Sequence, residues 1–166
     1  YYSEGLGKSL GFLVGALVVG TAFPHLLKTF TGTEGLPWKL VVITTSAISV
    51  LGGFLILVLV PEGPYRKPQK VKDLFAFIKV FKNPQFKAAA FGYFGHMWEL
   101  YTFWAFVPVI LGSYSLLNPG SEFNIPLLSF FIIGLGGISC VIGGYISQIW
   151  GPKRTAATAL LLSGLC

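Results

Sequence analysis

The chain has 166 residues, of which 54% are hydrophobic, 21 are glycine and only 11% are charged, far below the roughly 25% of an ordinary water-facing surface. That composition, with 15 phenylalanines and a mean hydropathy of +0.72, excludes a soluble globular domain and a disordered chain alike. The net charge of +6 would suit nucleic acid if the basic residues shared a face with stacking aromatics, but they fall between apolar runs, so an all-α integral membrane protein is what remains.

A helix needs about 20 mostly apolar residues to cross a hydrocarbon core of roughly 30 Å. The first segment of that kind, residues 10–27, contains no Asp, Glu, Lys or Arg, and Lys8 and Lys28 flank it where their ammonium groups reach the headgroups. Gly7, Gly11 and Gly15 recur in it at four-residue spacing, with Ala16 and Gly20 on a neighbouring row, a pattern that lets helix backbones approach closely. Pro24 cannot donate to the carbonyl of Gly20 and predicts a kink, with Thr21 placed to serve the freed groups. His25 follows near the outer end, where it either lines a cavity or sits at the interface.

Residues 40–60 form a second span, uncharged throughout and closed by Pro61. Its hydroxyl cluster, Thr44, Thr45, Ser46 and Ser49, is expected to bond backbone carbonyls or neighbouring helices. The connection over 61–87 begins irregularly, with three prolines before residue 70. Val71, Leu74, Phe75, Ile78 and Phe81 then fall on one helical face, with Lys72, Lys79 and Lys82 on others. This pattern predicts an amphipathic helix lying in the membrane interface; the alternative is a solvated loop.

The third span, residues 88–112, holds the one intramembrane acid. In the run Phe91-Gly92-Tyr93-Phe94-Gly95-His96-Met97-Trp98-Glu99, His96 and Glu99 share a face with Gly92 and Phe103, and Tyr93 stands beside them. An acid at mid-span costs a few kcal/mol unless it is protonated, paired or wet, which makes it a functional candidate by default. The functional reading is a polar cavity in which Glu99 binds a proton or cation and His96 exchanges protons or hydrogen-bonds with it. The competing reading is a buried pair that fixes helix packing. Trp98 and Trp104 lie too centrally for an interfacial belt and are expected to pack.

The fourth span, residues 125–150, is uncharged and repeats the small-residue device with Gly136, Cys140 and Gly144. A fifth apolar run opens at Thr155. Cys140 and Cys166 both sit in apolar stretches, unlike the cysteines of a disulfide framework. The start at Tyr1 and the apolar end at Cys166 lead us to expect a piece of a longer polytopic chain.

Orientation follows from the basic residues of the short connections. Lys8, Arg66, Lys67, Lys70, Lys72, Lys79, Lys82, Lys87, Lys153 and Arg154 fall on one side, and only Lys28 and Lys39 on the other. The bias assigns Tyr1, residues 61–87 and residues 151–154 to the cytoplasm, and the loops at 29–39 and 113–124 to the outside. No metal-ligand spacing, nucleotide-binding glycine loop or nucleophile motif is present, so neither a cofactor nor an enzymatic activity is expected.

The run Gly144-Tyr145-Ile146-Ser147-Gln148-Ile149-Trp150-Gly151-Pro152-Lys153-Arg154 joins two apolar segments by a tight basic turn. It resembles the signature turn of the major facilitator superfamily, Gly-x-Leu-Ala-Asp-x-x-Gly-Arg-Arg/Lys. Gly144, Gly151, Lys153 and Arg154 carry the match, while Gln148 stands where the family has an acid and Pro152 where it has its first basic residue. Pro61-Glu62-Gly63-Pro64 is also similar to an exit found after the sixth helix in some members. The resemblance implies that the chain corresponds to helices five to eight and the start of nine of a twelve-helix bundle. Residues 1–60 would then end the N-terminal half, 61–87 would be the central cytoplasmic connection, and 88–166 would begin the C-terminal half. It further implies secondary transport of a small solute by alternating access in a cytoplasmic membrane, with the rest of the same chain and the lipid bilayer as partners. Glu99, His96, Tyr93 and His25 are the candidate solute and proton pathway; Gly144, Gln148, Gly151, Lys153 and Arg154 are the candidate gating turn. The alternative, from the composition and the glycine rows alone, is a four-span structural or assembly subunit. A channel is disfavoured because no span carries a ring-forming polar pattern.

Overall fold

The computed structural model describes residues 5–30, 37–61, 63, 76–121 and 123–165. Among these residues all regular structure is helical: α1 (Leu6–Thr29), α2 (Trp38–Leu59), α3 (Ala76–Val80), α4 (Pro84–Leu117), α5 (Ile125–Trp150) and α6 (Pro152–Gly164). Helices α1, α2, α4 and α5 are each long and apolar enough to cross a membrane, which makes this a multi-pass membrane protein.

Local chemistry sets the helix ends. The Asn124 side chain accepts a hydrogen bond from the Leu127 amide at 3.0 Å and Pro126 occupies the first turn, so α5 starts at the expected residue. The expected third span is too short at both ends. Asn83 Oδ1 accepts from the amide of Gln85 at 2.9 Å, and Pro84 opens α4 four residues before Ala88. Gly112 does not stop the helix either; it runs on to Leu117, where Asn118 Nδ2 donates to the Tyr114 carbonyl at 3.0 Å. At 34 residues α4 is about 51 Å long, well beyond the hydrocarbon core. The connection between α4 and α5 thus shrinks from the expected 113–124 to 118–124.

Helix α3 preserves the end of the expected interfacial helix; residues 71–75, which carry the rest of its apolar face, lie outside the described residues. After it, the rings of Phe81 and Phe86 meet edge to face, 5.3 Å apart. The basic residues Arg66, Lys67, Lys70 and Lys72 also lie outside the described residues, as do Glu62 and Pro64 of the Pro61-Glu62-Gly63-Pro64 exit.

Packing divides the chain into two units, residues 1–61 with 107–166, and residues 62–106. The core of the first is an antiparallel seam between α1 and α5. It runs from Gly7 against Gly144, through Gly11 against Cys140 and Gly15 against Gly137, to Ala22 against Gly134. A Cβ on Gly15 would lie 2.7 Å from the Gly137 carbonyl oxygen, and one on Gly11 would lie 2.8 Å from that of Cys140, so the backbones themselves are in contact. Val18, Ala22 and Ile133 are buried along the seam, and Ser129 is fully buried with its hydroxyl donating to the Ile125 carbonyl at 2.8 Å. On one flank Lys8 Nζ lies 5.0 Å from the centre of the Tyr145 ring, and Phe12 packs edge to face on the same ring.

The small-residue rows are placed differently from expectation in two respects. The α5 row uses Gly137 where Gly136 was expected, and Gly136 approaches only the side chain of Val18. Gly20 takes no part in the seam, because a Cβ there would meet nothing within 4 Å. The Thr21 hydroxyl donates to the carbonyl of Val18 at 2.7 Å and so does not serve the Gly20 carbonyl that Pro24 frees. In α2 the expectation for Thr45 holds: its hydroxyl lies 2.9 Å from the Val41 carbonyl and 3.0 Å from that of Val42.

Candidate functional site

Glu99 lies near the middle of α4, with His96 one helical turn before it. Both side chains are exposed on the described surface, and so is Tyr93, at 58%. Gly92 completes the face, and a Cβ there would meet nothing within 4 Å, which leaves the strip beside His96 open. Four residues after Glu99, Phe103 is also exposed. The arrangement is an open face with one imidazole, one carboxyl and one phenol, not an enclosed chamber.

The opposite face of the same stretch is apolar. Phe94, Met97, Trp98, Tyr101, Thr102, Ala105 and Phe106 line a groove of about 500 Å³, and neither His96 nor Glu99 contributes to it. Trp98, expected to pack, is 80% exposed there, whereas Trp104 is half-buried with its ring edge to face on Tyr101 at 5.5 Å. The Thr102 hydroxyl is turned back onto the Trp98 carbonyl at 2.7 Å, leaving its methyl group to the groove. Helix α4 is therefore two-faced, with titratable groups on one side and aromatics on the other. Sequence reading found the titratable side through its charge; the groove escaped it because aromatic residues surround every position of the run.

His25 belongs to the other unit, half-buried in the last turns of α1 just after Pro24, and its carbonyl accepts a hydrogen bond from the Thr29 hydroxyl at 3.3 Å. A pocket of about 290 Å³ opens on the same helix, lined by Gly20, Phe23, Thr45, Ile48 and Ser49 of α1 and α2. His25 is not among its walls.

The candidate gating turn is the best-defined local structure of the set. Gly151 links α5 directly to α6 with φ 83° and ψ 152°, a conformation open essentially to glycine alone. Pro152 then supplies the preset φ of a first helical residue, and the Thr155 hydroxyl donates to the Gly151 carbonyl at 3.0 Å. Lys153 and Arg154 are exposed in the first turn of α6. Cations at a helix N-terminus oppose the macrodipole, so local helix energetics do not explain them. Gln148 reaches across the seam to the start of α1, where its side chain packs beside Gly5 and Gly7. Gly144 stands in backbone contact with Gly7 and Gly11. The turn thus ties α6, α5 and the first turn of α1 together.

No protein family, curated protein or solved structure matches the chain.

Proposed function

We propose that the chain forms the middle of a secondary transporter of the major facilitator type, which moves a small solute by alternating access and uses Glu99 of α4 as its proton-binding group. The observation that carries this reading is the α1–α5 seam. On the resemblance to helices five to eight, α1 belongs to the first half of the transporter and α5 to the second, so the seam is where the halves touch. Rows of glycine give that contact a smooth surface, over which helices shift without first disengaging interlocked side chains. The turn from Gly144 to Arg154 supports the same reading, since its Gln148 bears on the start of α1 and its cationic end, Lys153 and Arg154, is exposed.

In this mechanism the titratable face of α4 turns toward a water-filled pathway and the aromatic face toward lipid or neighbouring helices. Glu99 takes up a proton on the side of higher acidity; neutralised, it crosses to the other access state without the cost of a bare charge in hydrocarbon. His96, one turn away, passes the proton to or from water. The test is proton flux into proteoliposomes of the full-length protein, read by an enclosed pH-sensitive dye while pooled solutes are added outside. Glu99→Gln abolishes solute-dependent proton flux while solute exchange across preloaded vesicles persists. Proton flux unchanged in Glu99→Gln refutes the assignment. His96→Ala slows both processes with insertion and folding intact; loss of folded protein shows a packing role instead.

A further inference from the structure

One flank of the α1–α5 seam contains a second groove, of about 550 Å³, that takes in none of the solute-pathway residues and shares Gly144 and Gln148 with the turn. Leu6, Leu10 and Val14 form its α1 wall, and Cys140, Gly143 and Ser147 its α5 wall. The walls are apolar over most of the length, and the polar groups gather at one end, where Gln148 and Pro152 close it. Lys153 and Arg154 follow Pro152 directly and are exposed. Lys8 does not compete for this end, because its ammonium sits over Tyr145 on the other flank.

We propose that this groove is a binding site for one anionic phospholipid of the cytoplasmic leaflet, with an acyl chain lying between α1 and α5 and the phosphate held at the Gln148–Arg154 end. Three observations fix the occupant. The groove runs along two membrane-spanning helices and is apolar where the bilayer is apolar. Its polar end offers the Gln148 side-chain amide as a hydrogen-bond donor, the exposed cations Lys153 and Arg154 follow its end residue Pro152 in the chain, and no acid lies between residues 125 and 165 to compete with a phosphate. The cationic pair stands at a helix N-terminus, where the α6 dipole adds to its positive potential and a bound phosphate relieves the repulsion. Such a lipid fills the gap beside the seam and couples its packing to leaflet composition.

The test uses the intact protein in detergent, with native mass spectrometry counting retained phosphatidylglycerol and phosphatidylcholine at matched concentration. Phosphatidylglycerol is retained in preference. Lys153→Gln with Arg154→Gln weakens its retention about 30-fold, taking each basic residue at roughly 1 kcal/mol. Gly143→Leu blocks the acyl chain without disturbing the seam, because a Cβ at Gly143 meets nothing within 4 Å. Val14→Trp does the same from the exposed α1 wall and guards against misfolding of the first variant. Equal retention of the two lipids overturns the proposal. So does phosphatidylglycerol retention that survives both groove-filling variants, which would mean that the basic turn attracts headgroups by charge alone.

Discussion

Replacing Gly15 by alanine tests whether backbone contact between α1 and α5 holds the first unit together. The new methyl carbon would stand 2.7 Å from the Gly137 carbonyl oxygen and 3.2 Å from a methyl of Val141. The nearer atom is backbone, so no rotamer change relieves it, and the helices must separate locally. Overpacking of this kind costs about 1–3 kcal/mol. Alanine also raises helix propensity by up to roughly 1 kcal/mol, which masks part of the cost if Gly15→Ala is measured alone. Gly20→Ala is the matched control: it makes the same chemical change in the same helix, where a Cβ meets nothing within 4 Å. The propensity gain is shared, so the difference between the variants isolates the seam. We expect Gly15→Ala to be less stable than Gly20→Ala by about 1–3 kcal/mol, a factor of roughly 5–150 in the unfolding constant. Reversible unfolding of the full-length protein in mixed micelles measures both. Equal stabilities would show that the helices are not in backbone contact and would remove the basis for a sliding interface.

The remaining expectations concern the turn, a cap and the topology. Gly151→Ala places a side chain at φ 83° and ψ 152°, and should destabilise the α5–α6 connection by about 1–3 kcal/mol, seen as faster amide exchange around Thr155. Asn124→Ala removes the acceptor for the Leu127 amide and should cost about 1 kcal/mol, with faster exchange in the first turn of α5 and none added in its last turn. A cysteine introduced at Lys82 should react with a membrane-impermeant maleimide only from the cytoplasmic side, and one at Gly120 only from the outside. Labelling of both from one side would overturn the four-span path.

The spans were legible because apolarity without charge is a long-range signal that tolerates local irregularity. The α5 boundaries could be read to the residue, since Asn124-Ile125-Pro126 and Gly151-Pro152 are chemical start and stop signals in their own right. At α4 the same reasoning stopped short, because hydropathy reports the stretch that lipid must cover and is blind to helix that continues into water. Asn83-Pro84 is an equally good start signal, but Gln85 and Lys87 separate it from the apolar run. The small-residue rows were visible as spacing, yet spacing alone could not choose between Gly136 and Gly137. That choice depends on the crossing of α1 and α5, which puts Gly137 against Gly15 and turns Gly136 toward Val18. The titratable face was legible from charge alone, and its aromatic counterpart emerged only from the grooves on the helix surface.

The unequal covering of the four spanning helices says where further contacts must form. Helices α1 and α5 each bury several residues against one another, whereas α2 buries only Val41 and α4 only Val107 among the described residues. Lipid covers a stretch without charge such as residues 40–59 of α2 at little cost, because hydrocarbon is as apolar as its leucines and a hydroxyl such as that of Thr45 bonds to the helix backbone. It does not cover α4 in the same way. The aromatic face of Phe94, Trp98, Tyr101 and Phe106 suits acyl chains, but the Glu99 face carries a group that costs a few kcal/mol against hydrocarbon. Of the two sides of α4, the one bearing His96 and Glu99 is therefore the side that demands water or protein, and its orientation is fixed by desolvation before any specific partner is considered. That demand gives an ionisable pair in the middle of a 34-residue helix a physical consequence: it sets which side of α4 can be left against hydrocarbon and which cannot.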